Sequence, residues 1–303
     1  MISYALSVSA FGNYITESAA AAVRQSKFRN FEPYLATCID DDDVSLISKK
    51  LTRQLIEEGV FHTASMHLPF CGKYCWDSSS PDETIRKDVS ERLIRLIRDH
   101  ADLMGPMVTL HAGGGSPQSE HLQRIGQVCK TIEEMLPTAR ELGFMINVEF
   151  LPRTCLGNSP EELLRIVSNF DEDEVGICLD VNHIMDRYKD LPEMINMLAP
   201  RIRSFHLCDY DGIDETHWIP GQGIINWPEL MRHIRAIDHD VLLILEPVWQ
   251  LKRDSRPIDP LFAIRQNEKA CWFLENCEKI MPEISTFQIP GNQGDTKIDH
   301  RKK

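Results

Sequence analysis

The sequence predicts an α/β fold: one closed (β/α)8 barrel, the TIM barrel architecture, in a single domain. Three observations carry that reading. Eight short apolar runs alternate with longer amphipathic stretches along the 303 residues, and continuous apolar strands between helices mean a parallel sheet covered on both faces. Eight such units joined by right-handed crossovers close on themselves. The length also fits, since a barrel typically needs about 250 residues and a chain of about 300 buries roughly 75% of the surface it exposes when unfolded. An open doubly wound sheet usually carries a glycine-rich phosphate turn after its first strand. Here Phe11-Gly12-Asn13-Tyr14 offers one glycine.

The predicted strands are residues 3–8, 33–38, 63–68, 107–111, 144–150, 176–180, 202–208 and 241–247. The first opens the chain without a basic n-region, so it reads as a strand and not as a signal peptide. Between strands three and four, Ile85, Val89, Leu93, Leu96 and Ile97 share one helical face. Leu122, Ile125, Val128, Ile132 and Met135 repeat the pattern, and Pro137 is expected to kink or end that helix. Ser159-Pro160-Glu161-Glu162 is a helix start, with Ser as N-cap, Pro at the first position and acids in the first turn. Trp272, Phe273 and Ile280 fall on a final helix over 259–281. No Pro/Gly/Ser-rich linker divides the chain, so residues 1–287 are assigned to the barrel and 288–303 to a polar tail.

Composition removes several function classes. Lys and Arg number 33 against 46 Asp and Glu, a net charge of −13, which argues against a duplex DNA partner because phosphate contacts need clustered Lys and Arg. No apolar run approaches the ~18 residues of a membrane helix. The nine cysteines are odd in number, and Cys178 and Cys208 sit inside apolar strands as buried thiols do. A reducing cytoplasm is the expected location. Cys71 and Cys75 lack the two further partners of a structural zinc site, so they read as structural or incidental.

In such a barrel the active site lies at the C-terminal ends of the strands. Strands three to eight end in His67, His111, Glu149, Asp180 (with His183 three residues on), His206 and Glu246. A single buried His is ordinarily a satisfied core residue. Burying three carboxylates and several imidazoles together costs several kcal/mol each unless a cation compensates. Two Glu, one Asp and one His make an oxygen-rich set with one nitrogen, suited to Mn²⁺, Mg²⁺ or Co²⁺ and compatible with Zn²⁺. The loop Asp214-Glu215-Thr216-His217-Trp218-Ile219-Pro220-Gly221-Gln222-Gly223 follows strand seven, where its backbone N–H groups could meet an anion.

The series His67, His111, Glu149, Asp180-x-x-His183, His206, His217-x-x-Pro-Gly-x-Gly and Glu246 resembles the xylose-isomerase-like barrel superfamily, most closely its sugar phosphate isomerase/epimerase branch. The resemblance implies one divalent metal ion held by Glu149, Asp180, His206 and Glu246. It also implies a sugar pocket lined by His67, His111, His183 and His217. By this reading Glu149 and Glu246 are the catalytic pair. They move a proton next to a carbonyl through a metal-stabilised enediolate, giving isomerisation or epimerisation of a sugar or sugar phosphate. Dehydration of a cyclic polyol such as an inosose would use the same groups. The net charge and the lack of a long apolar run predict no nucleic acid or membrane partner, and the resemblance allows a homo-oligomer.

A rival within the superfamily is the endonuclease IV type, which holds three zinc ions and cleaves apurinic DNA. The same residues have counterparts in that pattern, with Glu215 where an Asp is expected. The net charge of −13 fits it badly. A non-catalytic sugar-binding barrel is also conceivable, though a binding module has little need for two opposed glutamates. Tyr14, Phe70, Trp76, Arg153, Trp218 and Trp249 are the candidates for substrate selection. Arg153 would bind a phosphate or carboxylate, or else sits on the surface.

Overall fold

The structure is a computed structural model that describes residues 1–71, 74–248 and 258–280. Nine parallel strands form one sheet: β1 (Ile2–Ser7), β2 (Asn30–Glu32), β3 (His62–Thr63), β4 (Met66–His67), β5 (Met107–His111), β6 (Met145–Glu149), β7 (Val175–Asp180), β8 (Ile202–Leu207) and β9 (Val241–Leu245). Their spatial order, β3-β2-β1-β9-β8-β7-β6-β5-β4, is that of a barrel rolled up from eight positions. The ninth strand arises because β3 and β4 are two halves of one predicted strand, interrupted at Ala64 and Ser65. β3 pairs with β2 and β4 with β5, while the amides of Ala64 and His67 reach Phe31 and Pro33 carbonyls across the seam.

Outside the sheet run α1 (Glu17–Arg24), α2 (Asp43–Glu57), α3 (Glu83–Asp99), α4 (His121–Leu142), α5 (Pro160–Val167), α6 (Leu191–Leu198), α7 (Trp227–Arg235) and α8 (Pro260–Ile280). The predicted cap is present: the Ser159 hydroxyl accepts the Glu162 amide, with Pro160 in the first turn of α5. One continuous apolar layer joins helices to strands, including Val89, Leu93 and Ile97 of α3 and Val128, Ile132 and Met135 of α4. Among the described residues no helix is long and apolar enough to cross a membrane. All nine cysteines are free.

One expectation is corrected and another narrowed. The second strand is not 33–38 but Asn30–Glu32, and Leu35–Cys38 forms a 3-10 turn. Pro33 has no N–H to give to a ladder, so pairing with β1 stops at Ser7↔Glu32. Pro137 does not end its helix, since α4 runs on to Leu142. Pro137 and Glu133, four residues earlier, are both exposed, so water can take the carbonyl that proline leaves unpaired. The last helix spans Pro260–Ile280, close to the expected 259–281. Residues 288–303 and Trp249 lie outside the described residues.

Candidate active site and metal centre

Six strand ends converge at one mouth of the barrel. His67, His111, Glu149 and Asp180 close β4 to β7, His206 stands one residue before the end of β8, and Glu246 follows β9. They meet at a cavity of about 1340 Å³ lined by His67, His111, Glu149, His183, His217 and Glu246 among others. Asp180 and His206 are fully buried.

Nδ1 of His206 lies 3.2 Å from Glu149 Oε1, 3.1 Å from Glu246 Oε2 and 3.9 Å from Asp180 Oδ2. One ligand atom from each of these four residues falls within 4.8 Å of all the others. One oxygen of each of two carboxylates, Asp180 Oδ2 and Glu149 Oε2, is buried without a well-formed hydrogen bond. Buried carboxylate oxygens crowded around a ring nitrogen fit a cation, whose charge would offset their burial. The donor set of three carboxylates and one imidazole suits a divalent ion of the kind expected.

Two further groups flank this cage. His67 Nε2 and His111 Nε2 approach Glu149 Oε2 at 3.2 and 2.9 Å. His183 Nε2 and His217 Nε2 each lie 3.5 Å from Glu215 Oε1. Two of these rings are oriented by backbone carbonyls, with His67 Nδ1 at 2.9 Å from the Leu68 oxygen and His183 Nδ1 at 2.8 Å from that of Phe150. A carbonyl only accepts, so Nδ1 donates in both and Nε2 is left for the site.

Electrostatics follow from this crowding. Burial pushes the Glu149 carboxyl up, but His111 and His206 outweigh it and hold it well below the usual range. Glu246, also opposed by burial, is drawn down to about 2 by His206. Burial wins at Asp180, whose carboxyl is raised despite His183 and His217. At His67 burial is overcome by Glu149, and the ring is raised to about 8. His206 is raised well above its ordinary value, its burial outweighed by Cys178, Glu246, Glu32 and Glu149.

The loop after β8 holds a correction. Its backbone N–H groups do meet an anion, but that anion is the buried carboxylate of Asp209. Asp209 Oδ2 accepts the Gly221 amide at 2.8 Å and the Trp227 indole at 2.7 Å, and Oδ1 accepts the amides of Tyr210 and Ile225 at 3.0 and 3.1 Å. A Cβ at position 223 would stand 2.1 Å from the Tyr210 carbonyl oxygen, so only glycine fits there. The Pro-Gly-x-Gly turn is a wrapping for Asp209, and it presents His217 to the cavity. Arg153 also lines the cavity, but its guanidinium is bound to Asp214 Oδ1 at 2.6 Å and to Glu215. Phe70 stacks on His111 with centroids 4.0 Å apart. Trp76 and Trp218 line the cavity, as do Cys71 and Cys75, whereas Tyr14 is not among the lining residues.

Sequence reasoning missed Glu32, which is 1% exposed and whose Oε2 lies 3.0 Å from His206 Nε2. Its signal, an acid directly before Pro33, was hidden by the misplaced second strand.

A family model of the xylose isomerase-like TIM barrel matches residues 20–263, well over half of the chain. The chain belongs to the xylose isomerase-like TIM barrel family. An uncharacterized protein of Methanocaldococcus jannaschii is 25% identical over 242 residues, covering 77% of this chain and 80% of the relative. Fructoselysine 3-epimerase of Escherichia coli O157:H7 is 25% identical over 199 residues, covering 63% of this chain and 70% of the relative. The crystal structure of the IOLI protein with a binding zinc atom superimposes with a TM-score of 0.71 at 14% identity, covering 91% of this chain and 98% of that one; at that identity the likeness speaks for the fold.

Proposed function

We propose that the protein is a metal-dependent isomerase or epimerase of a sugar or sugar phosphate. The observation that carries this is the cage of Glu149, Asp180, His206 and Glu246 at the strand ends, with two glutamates opening on the cavity. The family membership and the 3-epimerase relative support the sugar class. Glu149, Asp180, His206 and Glu246 would hold a divalent cation, which would supply Lewis acidity to the carbonyl chemistry. Glu246, the more accessible glutamate at 13% side-chain exposure against 1%, and Glu149 then act as the proton-transfer pair. One carboxylate accepts the proton as the C–H bond next to the carbonyl breaks. The other returns a proton to the opposite face, giving the epimer, or to the neighbouring carbon, giving the isomer. His67 and His111 crowd Glu149 Oε2 at 3.2 and 2.9 Å and favour its charged form, and His183 and His217 present ring nitrogens to the cavity.

The test is a screen of ketoses, inososes and their phosphates with added Mn²⁺, Mg²⁺, Co²⁺ or Zn²⁺ in D₂O, following loss of the α-proton signal by NMR. Glu149→Gln and Glu246→Gln should each abolish exchange, by about 10²–10⁴-fold for loss of a general base, while the fold persists. Unchanged exchange in either variant removes that residue from the pair. Net loss of water from an inosose would assign dehydration instead.

A second reading, a trinuclear phosphodiesterase of the endonuclease IV type, is favoured by one observation. The groups His67–His111–Glu149 and His183–Glu215–His217 flank the cage, and Glu215 fills the place where Asp was expected. Three ions per chain with cleavage of apurinic DNA would establish it; one ion per chain would remove it. The charge of −13 keeps it second. The free cysteines support a cytoplasmic location, and sizing in solution would settle whether the barrels pair.

A further inference from the structure

We propose that Glu32 is a positioning residue for the cation cage. It sets the orientation and tautomer of His206, so that Nδ1 turns its lone pair toward Glu149, Asp180 and Glu246. The inference rests on the metal-cage reading above and adds a residue to it.

Glu32 ends β2 and is buried inside the barrel. Its Oε1 accepts the Thr109 hydroxyl at 2.9 Å, and the Ser65 hydroxyl stands 3.1 Å from that of Thr109. Its Oε2 faces His206 Nε2 at 3.0 Å. Both atoms are buried and neither makes a well-formed hydrogen bond, so their 3.0 Å approach to each other is the polar contact open to each. A carboxylate oxygen has nothing to donate, and the contact is attractive only when Nε2 carries the hydrogen. Nδ1 stands at 3.2 Å from Glu149 Oε1, to which it can donate while the cage holds no ion. A neutral imidazole has a single N–H, and with that hydrogen on Nε2 the Nδ1 lone pair is free for a cation among three carboxylates at 3.1 to 3.9 Å. A lone pair in that position is repelled by its neighbours until a cation stands between them.

The contrast with the other rings sharpens the point. His67 and His183 donate from Nδ1 to backbone carbonyls and offer Nε2. His206 is held the other way round, and by a charged carboxylate, which orients more strongly than a carbonyl and raises the basicity of the free nitrogen. Thr109 in turn holds Glu32, so the chain Thr109–Glu32–His206 spans the barrel from β5 through β2 to β8.

The experiment uses the full chain, stripped with chelator and titrated with MnCl₂ by calorimetry. Glu32→Gln, nearly isosteric but uncharged, should bind Mn²⁺ 10–100-fold more weakly than wild type. Thr109→Val should show a smaller loss, and Thr109→Ser, which keeps the hydroxyl, should match wild type. In the Zn²⁺-loaded wild type, ¹⁵N-histidine NMR should find the His206 proton on Nε2. A purely structural Glu32 would instead lower the melting temperature of the stripped protein and leave the Mn²⁺ Kd of the folded variant unchanged. A proton on Nδ1, or a folded Glu32→Gln variant with a Kd within threefold of wild type, overturns the proposal. Should Glu32→Gln fail to fold, Thr109→Val and the NMR assignment decide it. A wild type that binds no Mn²⁺ or Zn²⁺ refutes the cage itself, an outcome distinct from equal affinities.

Discussion

Asp209→Asn tests how the cavity loop is held. The native carboxylate accepts four hydrogen bonds, two on each oxygen: the Tyr210 and Ile225 amides on Oδ1, and the Gly221 amide and Trp227 indole on Oδ2. Asparagine keeps the shape and one oxygen, but its NH₂ must face one of the two donor pairs. Two buried N–H groups then lose their acceptor, at about 1–3 kcal/mol each, or roughly 2–6 kcal/mol together. The segment between Asp209 and Trp227 can release locally, and that local opening limits how much of the loss reaches the whole barrel. The assay is amide hydrogen exchange. Protection at Gly221 and Ile225 should fall by at least about 30-fold, the equivalent of roughly 2 kcal/mol, while β5 to β7 stay protected. Native protection at both amides would refute the reasoning. Burial does raise the Asp209 carboxyl, against the pull of Trp227 and the glycine amides.

Arg153→Ala removes a half-exposed pairing with Asp214 and Glu215, worth at most about 1 kcal/mol once solvent screening is counted. The melting temperature should stay within about 2 °C. The kcat/KM ratio between a substrate sugar and its phosphate should be unchanged, because the guanidinium is already occupied; a lost phosphate preference would show it to be available. Glu162, whose carboxyl burial raises but His121 and the Gly157 amide bring below its ordinary value, contributes stability above its unfolded pKa of about 4.5. That contribution is lost as the pH falls through the lower folded value. Between pH 6 and pH 3 the wild type should therefore lose more melting temperature than Glu162→Gln, and parallel curves would remove the pair from the acid response.

Much of the barrel was legible because its strands are apolar on both sides and its helices on one. That difference of period places seven of the eight predicted strands within a few residues. The cage was legible for a related reason: an ionisable residue at the end of an apolar strand, as at Val148-Glu149 or Leu179-Asp180, has no reason to be there unless the strand delivers it somewhere polar. What was not legible is pairing at a distance. The spacing Pro-Gly-x-Gly suggests a backbone anion site, but nothing local reveals that its anion is Asp209, twelve residues before Gly221. Arg153 reads as a free cation until the fold brings Asp214 and Glu215 against it. The split of the third strand at Ala64 and Ser65 also needs three dimensions, because Ser65 turns its hydroxyl to Thr109 across the barrel interior.

Pro33 shows how one physical fact decides two errors. A run from Pro33 to Cys38 looks extended by composition, yet proline cannot donate to the ladder, and β1 pairs only as far as Glu32. The strand therefore ends one residue before the proline, and its last residue takes the place that an acid or imidazole takes on the strands from β4 to β7. Phe31 turns the opposite way and stacks on Phe61 with centroids 4.4 Å apart, as strand alternation requires. Glu32 is left facing the barrel interior, where His206 is the basic group it meets. A strand boundary displaced by a few residues thus conceals an ionisable group from a search made at strand ends. The same rule that located the cage residues, applied from the correct boundary, places Glu32 behind His206.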